Sequence, residues 1–376
     1  MPSKLSPPKI QHQFVAEDGS LAHELPSYDK AWIKEIFEHV LRVRCVDQRM
    51  LKIQRAGRVG FVGSMLGQES AMIGTAAGLR AQDYMWSGLR EGGAALMRGL
   101  PLSEYIAQMY CNSNDTARGR QMCNHFQHKA SNYPSWSSVI GTQIGHAVGA
   151  AFAAKRRGLD EVHGVWFGDG ATSSNPFHSG LNFAGVWKAP VVFVCVDNGW
   201  AISLPAAKQT AQTDYAKKAL AYGIPGYTVD GNDVFACYEA MKSLVEYARD
   251  GGGASLLVVK TYRLMGHSSS DDPTKYRDAK EVAMWEKRDP LPRLTKFMES
   301  KGLLKKGEAK RIEKRIIAEI DAEIHVQEDA PGMPMRSLVE DVYADVPQHL
   351  QSQYNEFLRV SGRFGDAQPG DGAFPL

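Results

Sequence analysis

The stretch from Phe167 to Ser203 reads FGDGATSSNPFHSGLNFAGVWKAPVVFVCVDNGWAIS. It places an aspartate between two glycines directly after the apolar run VHGVWF, and the next apolar run, VVFVCVD, is followed by Asn198 and Gly199. A loop that only reversed the chain would need neither a carboxylate nor an amide at these points. The stretch therefore predicts two buried strands joined by a helix, with polar side chains at the strand ends.

The strand–helix unit recurs along the chain, and this recurrence indicates the fold class. Asn175-Pro176 predicts a helix that starts with an N-cap residue followed by proline. Farther on, the run GYTVDG, a helical pattern from Val234 to Arg249 and the run ASLLVVKTYR repeat the unit. Such alternation predicts an α/β fold with a doubly wound, mostly parallel sheet whose strand ends form the site.

Composition divides the chain into three predicted parts. Residues 1–28 are rich in proline and predict an N-terminal arm, whereas residues 29–300 carry the strand–helix units. Residues 301–376 predict a helical C-terminal extension with a glycine- and proline-rich tail from Gly362. In this extension, isoleucines at every fourth position predict the packing face of one long amphipathic helix: Ile312, Ile316, Ile320 and Ile324.

Charge and apolar pattern exclude several classes of function. The 376 residues carry a formal net charge of +2 without a run of five like charges, which argues against a nucleic-acid surface. The longest apolar stretches are strand-sized, and the N-terminus has neither a signal core nor a transit-peptide pattern. The five cysteines form no CxxC pair, which favours a reducing compartment. We therefore predict a cytoplasmic protein with no nucleic-acid or membrane partner.

A second glycine pattern predicts close packing. Gly141, Gly145 and Gly149 recur every four residues in GTQIGHAVGAAFAAKRRG. On a helix they would form one face without side chains, so that another helix or a strand could approach closely. This face is also a candidate for contact with another subunit.

The loop around Asp169 has the properties of a diphosphate site. A loop that leads from a parallel strand into a helix presents free N–H groups, and the helix dipole favours anions. Asp169 would hold a hard cation, and Asn198 and a backbone carbonyl two residues farther on would add oxygen ligands. The tripeptide GDG alone also fits a plain tight turn. The second strand and its Asn198, one helix later, favour the metal site.

This spacing resembles the diphosphate–magnesium signature of thiamine-diphosphate enzymes. Residues 30–300 resemble the alpha subunit of the decarboxylating component of 2-oxo acid dehydrogenase complexes, and the branched-chain and acetoin members look more similar than the pyruvate members. The matching stretches are GRQMCNHF, SSVIGTQIGHAVGAAFAAKR, GDGATS with GLNFAGVWKAPVVFVCVDNGWAIS, YGIPGYTVDGNDVFACYEAMK and TYRLMGHSSSDDPTKYR. The resemblance implies the thiamine-diphosphate-binding fold and the cofactors thiamine diphosphate and Mg²⁺, with K⁺ in branched-chain members.

The resemblance also implies roles for individual residues. Arg90 would pair with the diphosphate, a task that suits a planar guanidinium. His267 would be the active-site histidine, and Phe61 would face the substrate. The magnesium ligands would be Asp169, Asn198 and the Trp200 carbonyl. The other cofactor contacts would be Gly170, Ala171, Ser138 and Ile140, and the potassium ligands would be Ser137, Thr142 and Gln143.

Three departures from the family pattern concern the substrate and the phosphates. Relatives usually have tyrosine where this chain has Leu89, and branched-chain relatives often have arginine where it has Val196. Ser174-Asn175 stands where relatives commonly have an acidic residue. Each departure removes a polar contact, and none of them affects the cofactor-binding pattern.

We therefore predict the alpha subunit of a thiamine-diphosphate-dependent 2-oxo acid dehydrogenase, most like the branched-chain type (3-methyl-2-oxobutanoate dehydrogenase). Its partners would be the 2-oxo acid, a lipoyl-bearing acyltransferase component and a beta subunit. The beta subunit would supply the aminopyrimidine half of the site in a heterotetramer of two alpha and two beta chains. A pyruvate or acetoin dehydrogenase remains an alternative. A non-catalytic scaffold is another, which Leu89 and Val196 favour and Asp169, Asn198, Arg90 and His267 disfavour.

Overall fold

The computed structural model describes residues 5–361, so the predicted tail from Gly362 lies outside the described residues. The helices are α1 Lys30–Arg55, α2 Glu69–Ala77, α3 Gly92–Met97, α4 Leu102–Tyr110, α5 Thr142–Arg156, α6 Asn175–Trp187, α7 Ala206–Gln209, α8 Val234–Tyr247, α9 Ala279–Glu286, α10 Pro290–Ser300, α11 Glu308–Glu328, α12 Ser337–Glu340 and α13 Gln348–Ser361. The strands are β1 Tyr84–Trp86, β2 His163–Gly168, β3 Val191–Asp197, β4 Trp200–Ala201, β5 Leu204–Pro205, β6 Gly226–Asp230 and β7 Ser255–Lys260.

Five of these strands form one parallel sheet in the order β1-β2-β3-β7-β6. The strands of the opening stretch, β2 and β3, are neighbours, and Gly168 pairs with Val196 at their carboxyl ends. The predicted α/β fold with a mostly parallel sheet is therefore confirmed. Strands β4 and β5 form a separate antiparallel pair of two residues each, which the sequence did not predict.

Helices cover both faces of the sheet, as the side chains of β3 demonstrate. Val192 and Val194 belong to the apolar core that contains the buried residues of α1, α2 and α8. Phe193 and Cys195 belong to a second core with residues of α5 and α6. A strand buried on both faces reads as a continuous apolar run, which explains why VVFVCVD lacks alternation.

The N-terminal arm and helix α11 pack on the first of these cores. In the arm, the N–H groups of Phe14 and Val15 each donate a 2.7 Å hydrogen bond to Asp233, which also caps α8. On α11, Ile316 and Ile320 are fully buried, as the isoleucine spacing predicted. The boundaries of the three predicted parts stay a prediction.

Two helix starts differ from the sequence-based expectation. Helix α6 has Ser174 rather than Asn175 as its N-cap, because a 3₁₀ turn of residues 169–173 precedes it. Gly141 adopts a φ of +84° and caps α5 instead of lying within it. Gly145 and Gly149 do lie on α5, and within residues 5–361 no atom apart from the nearby backbone of α5 itself comes within 4 Å of a Cβ built there.

No helix among the described residues is long and apolar enough to cross a membrane.

Candidate active site

The carboxyl ends of β2 and β3 bring Asp169 and Asn198 to the same edge of the sheet. Because Gly168 pairs with Val196, the polar residues that follow the two strands emerge side by side. Thr172 donates a 2.8 Å hydrogen bond from Oγ1 to the Asp169 carbonyl and so fixes the turn after β2. A Cβ at Gly170 would lie 2.8 Å from the Cβ of Ala201, so only glycine lets this turn approach β4 so closely.

A cavity of about 300 Å³ opens at this edge. Most of the residues predicted from the sequence line it: Arg90, Ser137, Ile140, Gln143, Asp169, Gly170, Ala171, Asn198, Trp200 and His267. Leu89 and Val196, two of the three departures from the family pattern, line it as well, whereas Ser174 and Asn175 do not. Ser138, Thr142 and Phe61 are not part of the lining. A larger cavity of about 650 Å³ beside Tyr84 contains none of the predicted residues, so chemistry rather than size identifies the site.

In the described part of the chain, Asp169 has a buried carboxylate with one unpartnered oxygen. Its side chain is 1% exposed, and its Oδ2 has no hydrogen-bond partner among the described residues. Burial, with the nearby Asp197 as a second cause, raises the pKa of Asp169 to about 7. A buried carboxylate oxygen without a donor is costly, and a bound cation would remove that cost.

Asn198 and Trp200, which follow the next strand, provide further oxygen atoms and line the same cavity as Asp169. Asn198 is held by its amide nitrogen, which donates a 3.1 Å hydrogen bond to Oε1 of Gln68. Its Oδ1 accepts only a long 3.3 Å bond from the Trp200 N–H. The Trp200 carbonyl accepts from Nη1 of Arg263 at 3.2 Å and keeps a second lone pair. One carboxylate with neutral oxygens fits Mg²⁺, which takes few protein ligands when phosphate and water complete its shell.

Three buried arginines lie at the site with no carboxylate of residues 5–361 at ion-pair distance, although Asp47 and Glu91 lie near enough to act on Arg90. Arg90, Arg263 and Arg277 are 7%, 1% and 7% exposed, and in the part of the chain that the structure describes none of them forms an ion pair. Burial and then the neighbouring Arg263 lower the pKa of Arg90 to about 9, and burial and then Arg277 lower the pKa of Arg263. Their hydrogen bonds go mainly to backbone carbonyls, those of Ser64, His267, Trp200, Ile202 and Met265 among them. Uncompensated buried guanidinium groups favour an anionic ligand.

His267 lies against these arginines and is neutral at pH 7. Burial, then Arg90, then Arg263 lower the pKa of His267 to about 4. Its backbone N–H donates a 2.6 Å hydrogen bond to Oδ2 of Asp271, and Arg90 donates to its carbonyl at 2.6 Å. The polar loop Ser268–Asp272 therefore presents the imidazole to the cavity on a fixed backbone.

The comparison with known proteins agrees with this geometry. The model of the dehydrogenase E1 component family matches residues 38–335. The chain belongs to this family. It is an E1 alpha subunit of a thiamine-diphosphate-dependent 2-oxo acid dehydrogenase. Similar relatives are the pyruvate dehydrogenase E1 component subunit alpha of Staphylococcus aureus strain Mu50, 38% identical, and that of Staphylococcus epidermidis strain ATCC 35984, 36% identical. Each match spans 345 residues, which is 91% of this chain and 91% of the relative.

One wall of the site in this E1 alpha subunit is open to solvent. Val139 and Ile140 are 69% and 63% exposed although both side chains are apolar. Ser138 is also exposed, and its Oγ lies 2.6 Å from Nε2 of His125, whose ring packs on Trp136 at a centroid distance of 4.0 Å. Neighbouring apolar side chains that are exposed at the mouth of a cavity are typical of a surface that another chain covers.

Each predicted potassium ligand has a hydrogen-bond partner in the structure, within the same loop for Ser137 and Thr142 and on strand β2 for Gln143. Thr142 donates from Oγ1 to the Val139 carbonyl at 2.9 Å, and Ser137 accepts from the Val139 N–H at 3.2 Å. Gln143 donates from Nε2 to the Trp166 carbonyl at 2.8 Å. Phe61 packs half-buried against the first core. The roles of these residues stay predictions.

Sequence reasoning missed several cavity residues. Arg263 binds the Trp200 carbonyl and Gln68 binds the Asn198 amide, and Glu91 is buried with a pKa that burial raises to about 7. Ile202 has a φ of +57°, which is a strained conformation for a β-branched residue, and its carbonyl accepts a 2.7 Å bond from Arg263. None of them carries a usable local signal: Arg263 lies three residues beyond Lys260, the last residue of β7, and resembles a surface arginine in the sequence.

Proposed function

We propose that this E1 alpha subunit holds Mg²⁺ and the diphosphate of thiamine diphosphate in the cavity at the ends of β2 and β3. The observation that carries the proposal is the unpartnered Oδ2 of buried Asp169 beside unneutralised arginines. Asp169, Asn198 and the Trp200 carbonyl would hold the cation. Arg90 would hold the diphosphate, with the backbone of residues 170–171.

His267 would act on the substrate side of the cofactor. Thiamine diphosphate supplies, when bound, the nucleophilic carbon that decarboxylation of a 2-oxo acid requires. A neutral imidazole beside Arg90 can donate a hydrogen bond from Nε2 to an oxygen that gains negative charge. Ser138 and Ile140 would contact the cofactor rings at the open wall.

The substrate would be a 2-oxo acid with an aliphatic side chain, as in the branched-chain type. The support is the apolar lining, to which Leu89, Val139, Ile140 and Ile202 contribute. Val196 makes the lining more apolar as well but departs from the branched-chain pattern. Pyruvate is the second candidate, because the relatives from both Staphylococcus species are named pyruvate dehydrogenase subunits. A non-catalytic scaffold is disfavoured, since such a protein would have no use for an uncompensated buried charge cluster.

Catalysis would also require a beta subunit and a lipoyl-bearing acyltransferase. The exposed Val139 and Ile140 and the open glycine face at Gly145 and Gly149 are our candidates for subunit contacts. Potassium at Ser137, Thr142 and Gln143 would order the same loop.

Reconstitution with the beta subunit tests this function. We expect the alpha–beta complex to decarboxylate 3-methyl-2-oxobutanoate with a higher kcat/KM than pyruvate or 2-oxobutanoate. The alpha subunit alone should have negligible activity. A preference for pyruvate would favour the second candidate, and full turnover by the single chain would contradict the need for a partner.

A further inference from the structure

Two cysteines outside the proposed site lie next to each other. The Sγ atoms of Cys111 and Cys123 are 3.8 Å apart, in a chain whose five cysteines are otherwise separated and unpaired. Cys111 follows the last residue of α4 and is partly exposed, whereas Cys123 is 8% exposed. A disulfide bond has an S–S distance of about 2.0 Å, so a small shift of one segment would allow the bond to form.

Cys111 occupies a backbone position that favours glycine. It caps α4 with a φ of 53° and a ψ of 34°, the left-handed conformation that costs a non-glycine residue roughly 1 kcal/mol. A thiol placed there is therefore kept at the expense of stability. The conformation directs Sγ to within 3.4 Å of the carbonyls of Gln108 and Gln121 and towards Cys123.

The surroundings of the pair make one thiol reactive. The Cys111 side chain, together with the backbone N–H groups of Gly60, Phe61 and Cys123 itself, holds the pKa of Cys123 near 6 against the opposing effect of burial. The pKa of Cys111 is raised, with the contact to Cys123 as its main cause. The 3.8 Å contact makes the two thiols a redox pair, and we assign Cys123, beside these backbone N–H groups, as the nucleophile and Cys111 as the resolving thiol.

The segment after Cys123 leads into the wall of the cavity. Asn124 donates a 2.8 Å hydrogen bond from Nδ2 to the carbonyl of Leu89, which lines the cavity. His125 bonds the Cys123 carbonyl through Nδ1 at 3.0 Å and lies 2.6 Å from Ser138 Oγ through Nε2. A displacement of Cys123 towards α4 would therefore move a contact of the cavity lining, at Leu89, and the contact with Ser138 beside the cavity.

We propose that Cys111 and Cys123 form a reversible disulfide that weakens cofactor binding, an effect that rests on the proposed function. The Cys123 thiolate attacks a hydroperoxide, an S–O bond forms, the O–O bond breaks, and the alcohol or water leaves with the added proton. Cys111 then loses its proton and attacks the sulfenic sulfur, so that the S–S bond forms and water leaves. In total the two thiols lose two electrons and the hydroperoxide gains them. A dithiol then reduces the disulfide back to the two free thiols.

Peptide mass spectrometry of the full chain in its alpha–beta complex tests the bond itself. Trypsin separates the two cysteines, because it cleaves after Arg118 and Arg120. After treatment with hydrogen peroxide and alkylation of free thiols, we expect residues 99–118 linked to residues 121–129, and no link after dithiothreitol. In Cys111→Ser, Cys123 should stop at the sulfenic acid, which dimedone traps. Cys123 should react at least about tenfold faster than the buried Cys45, whose pKa is raised by burial.

Titration of the same samples with thiamine diphosphate and Mg²⁺ tests the consequence. The oxidised complex should bind thiamine diphosphate at least about fivefold more weakly than the reduced complex, whereas peroxide should leave the thiamine diphosphate affinity of Cys111→Ser unchanged. Free thiols at both positions after peroxide treatment would overturn the proposal, and so would a disulfide that leaves the affinity unchanged. The linked peptide is detected without any cofactor. A failure of the proposed function can therefore be distinguished from a failure of the disulfide proposal.

Discussion

Arg90 donates a 2.6 Å hydrogen bond to the carbonyl of His267, and its Nη2 lies 3.3 Å from the Nδ1 atom of the same residue. An arginine can only donate, so Nδ1 is the acceptor and the proton of the neutral imidazole resides on Nε2. The residue proposed to bind the diphosphate thereby fixes the tautomer of the residue proposed to act on the substrate.

Replacement of His267 should affect turnover more than cofactor binding. In His267→Ala we expect kcat of the alpha–beta complex to fall roughly 10²-fold, the usual scale of a lost acid–base group, with thiamine diphosphate affinity within about tenfold. Steady-state kinetics and calorimetry measure the two quantities. His39→Ala is the control, since this histidine on α1 is also partly buried but lies outside the cavity. Normal turnover in His267→Ala would assign the residue a purely structural role.

The planar guanidinium of Arg90 should matter beyond its charge. Arg90→Lys keeps a cation but loses the pair of hydrogen bonds to the carbonyls of Ser64 and His267. We expect the affinity for inorganic pyrophosphate to fall by about tenfold, which calorimetric titration would measure. Arg98→Lys is the matched control, because Arg98 also binds backbone carbonyls but lies outside the cavity. Equal losses in both variants would mean that general destabilisation is the cause.

The departure at Leu89 can be tested by restoring a hydroxyl. The side chain lines the cavity and packs beside Gly63, where a Cβ would lie 3.1 Å from its Cδ1. We expect Leu89→Tyr to bind thiamine diphosphate more tightly than Leu89→Phe by about 1 kcal/mol, the net value of one hydrogen bond. Calorimetric titration of both variants isolates the hydroxyl. Equal affinities would show that the tyrosine hydroxyl has no partner in this cavity.

His163 should make the stability of the fold depend on pH. It is 2% exposed at the start of β2, and burial lowers its pKa to about 4. Trp86 donates to its Nδ1 at 3.0 Å, while Glu161 lies 3.8 Å from its Nε2. Between pH 6.5 and 4, His163 is therefore protonated in the unfolded chain and neutral in the folded chain. The stabilising effect is complete above pH 6.5 and is lost as the pH falls, by on the order of 3 kcal/mol.

Chemical denaturation of wild type and His163→Gln between pH 7 and 4.5 measures this effect. The free energy of unfolding should decrease less steeply with falling pH in the variant, which has no group that titrates at this position. Parallel pH profiles for the two proteins would contradict the assignment.

The fold was predictable because its strands carry their signal locally. The continuous apolar run of β3 requires burial on both faces, and Asp169 and Asn198 follow the ends of two such runs. Strand β1 was not predicted, since three residues of the sequence YMW give too short a pattern. Gly141 was placed within α5 because its spacing is helical, although its positive φ makes it the cap.

Of the three buried arginines at the site, only one could be predicted from the sequence. Arg90 was found through its motif, but nothing local distinguishes Arg263 or Arg277 from surface arginines. Arg263 binds the carbonyls of Trp200 on β4 and of Ile202 in the loop after it, and Arg277 in turn binds the carbonyls of Arg263 and Met265. Contacts between segments that are distant in sequence leave no periodic signal. The strain at Ile202 is hidden for the same reason.

The central claim is that Asp169 is the charged magnesium ligand. Calorimetric titration of the alpha–beta complex with thiamine diphosphate, with and without Mg²⁺, tests this claim. We compare wild type with Asp169→Asn and with the control Asp197→Asn, which removes a neighbouring carboxylate at the end of β3. The account predicts Mg²⁺-dependent binding in wild type and the control. In Asp169→Asn the affinity should be at least about 100-fold weaker, with no dependence on Mg²⁺. Unchanged Mg²⁺-dependent affinity in Asp169→Asn would contradict it.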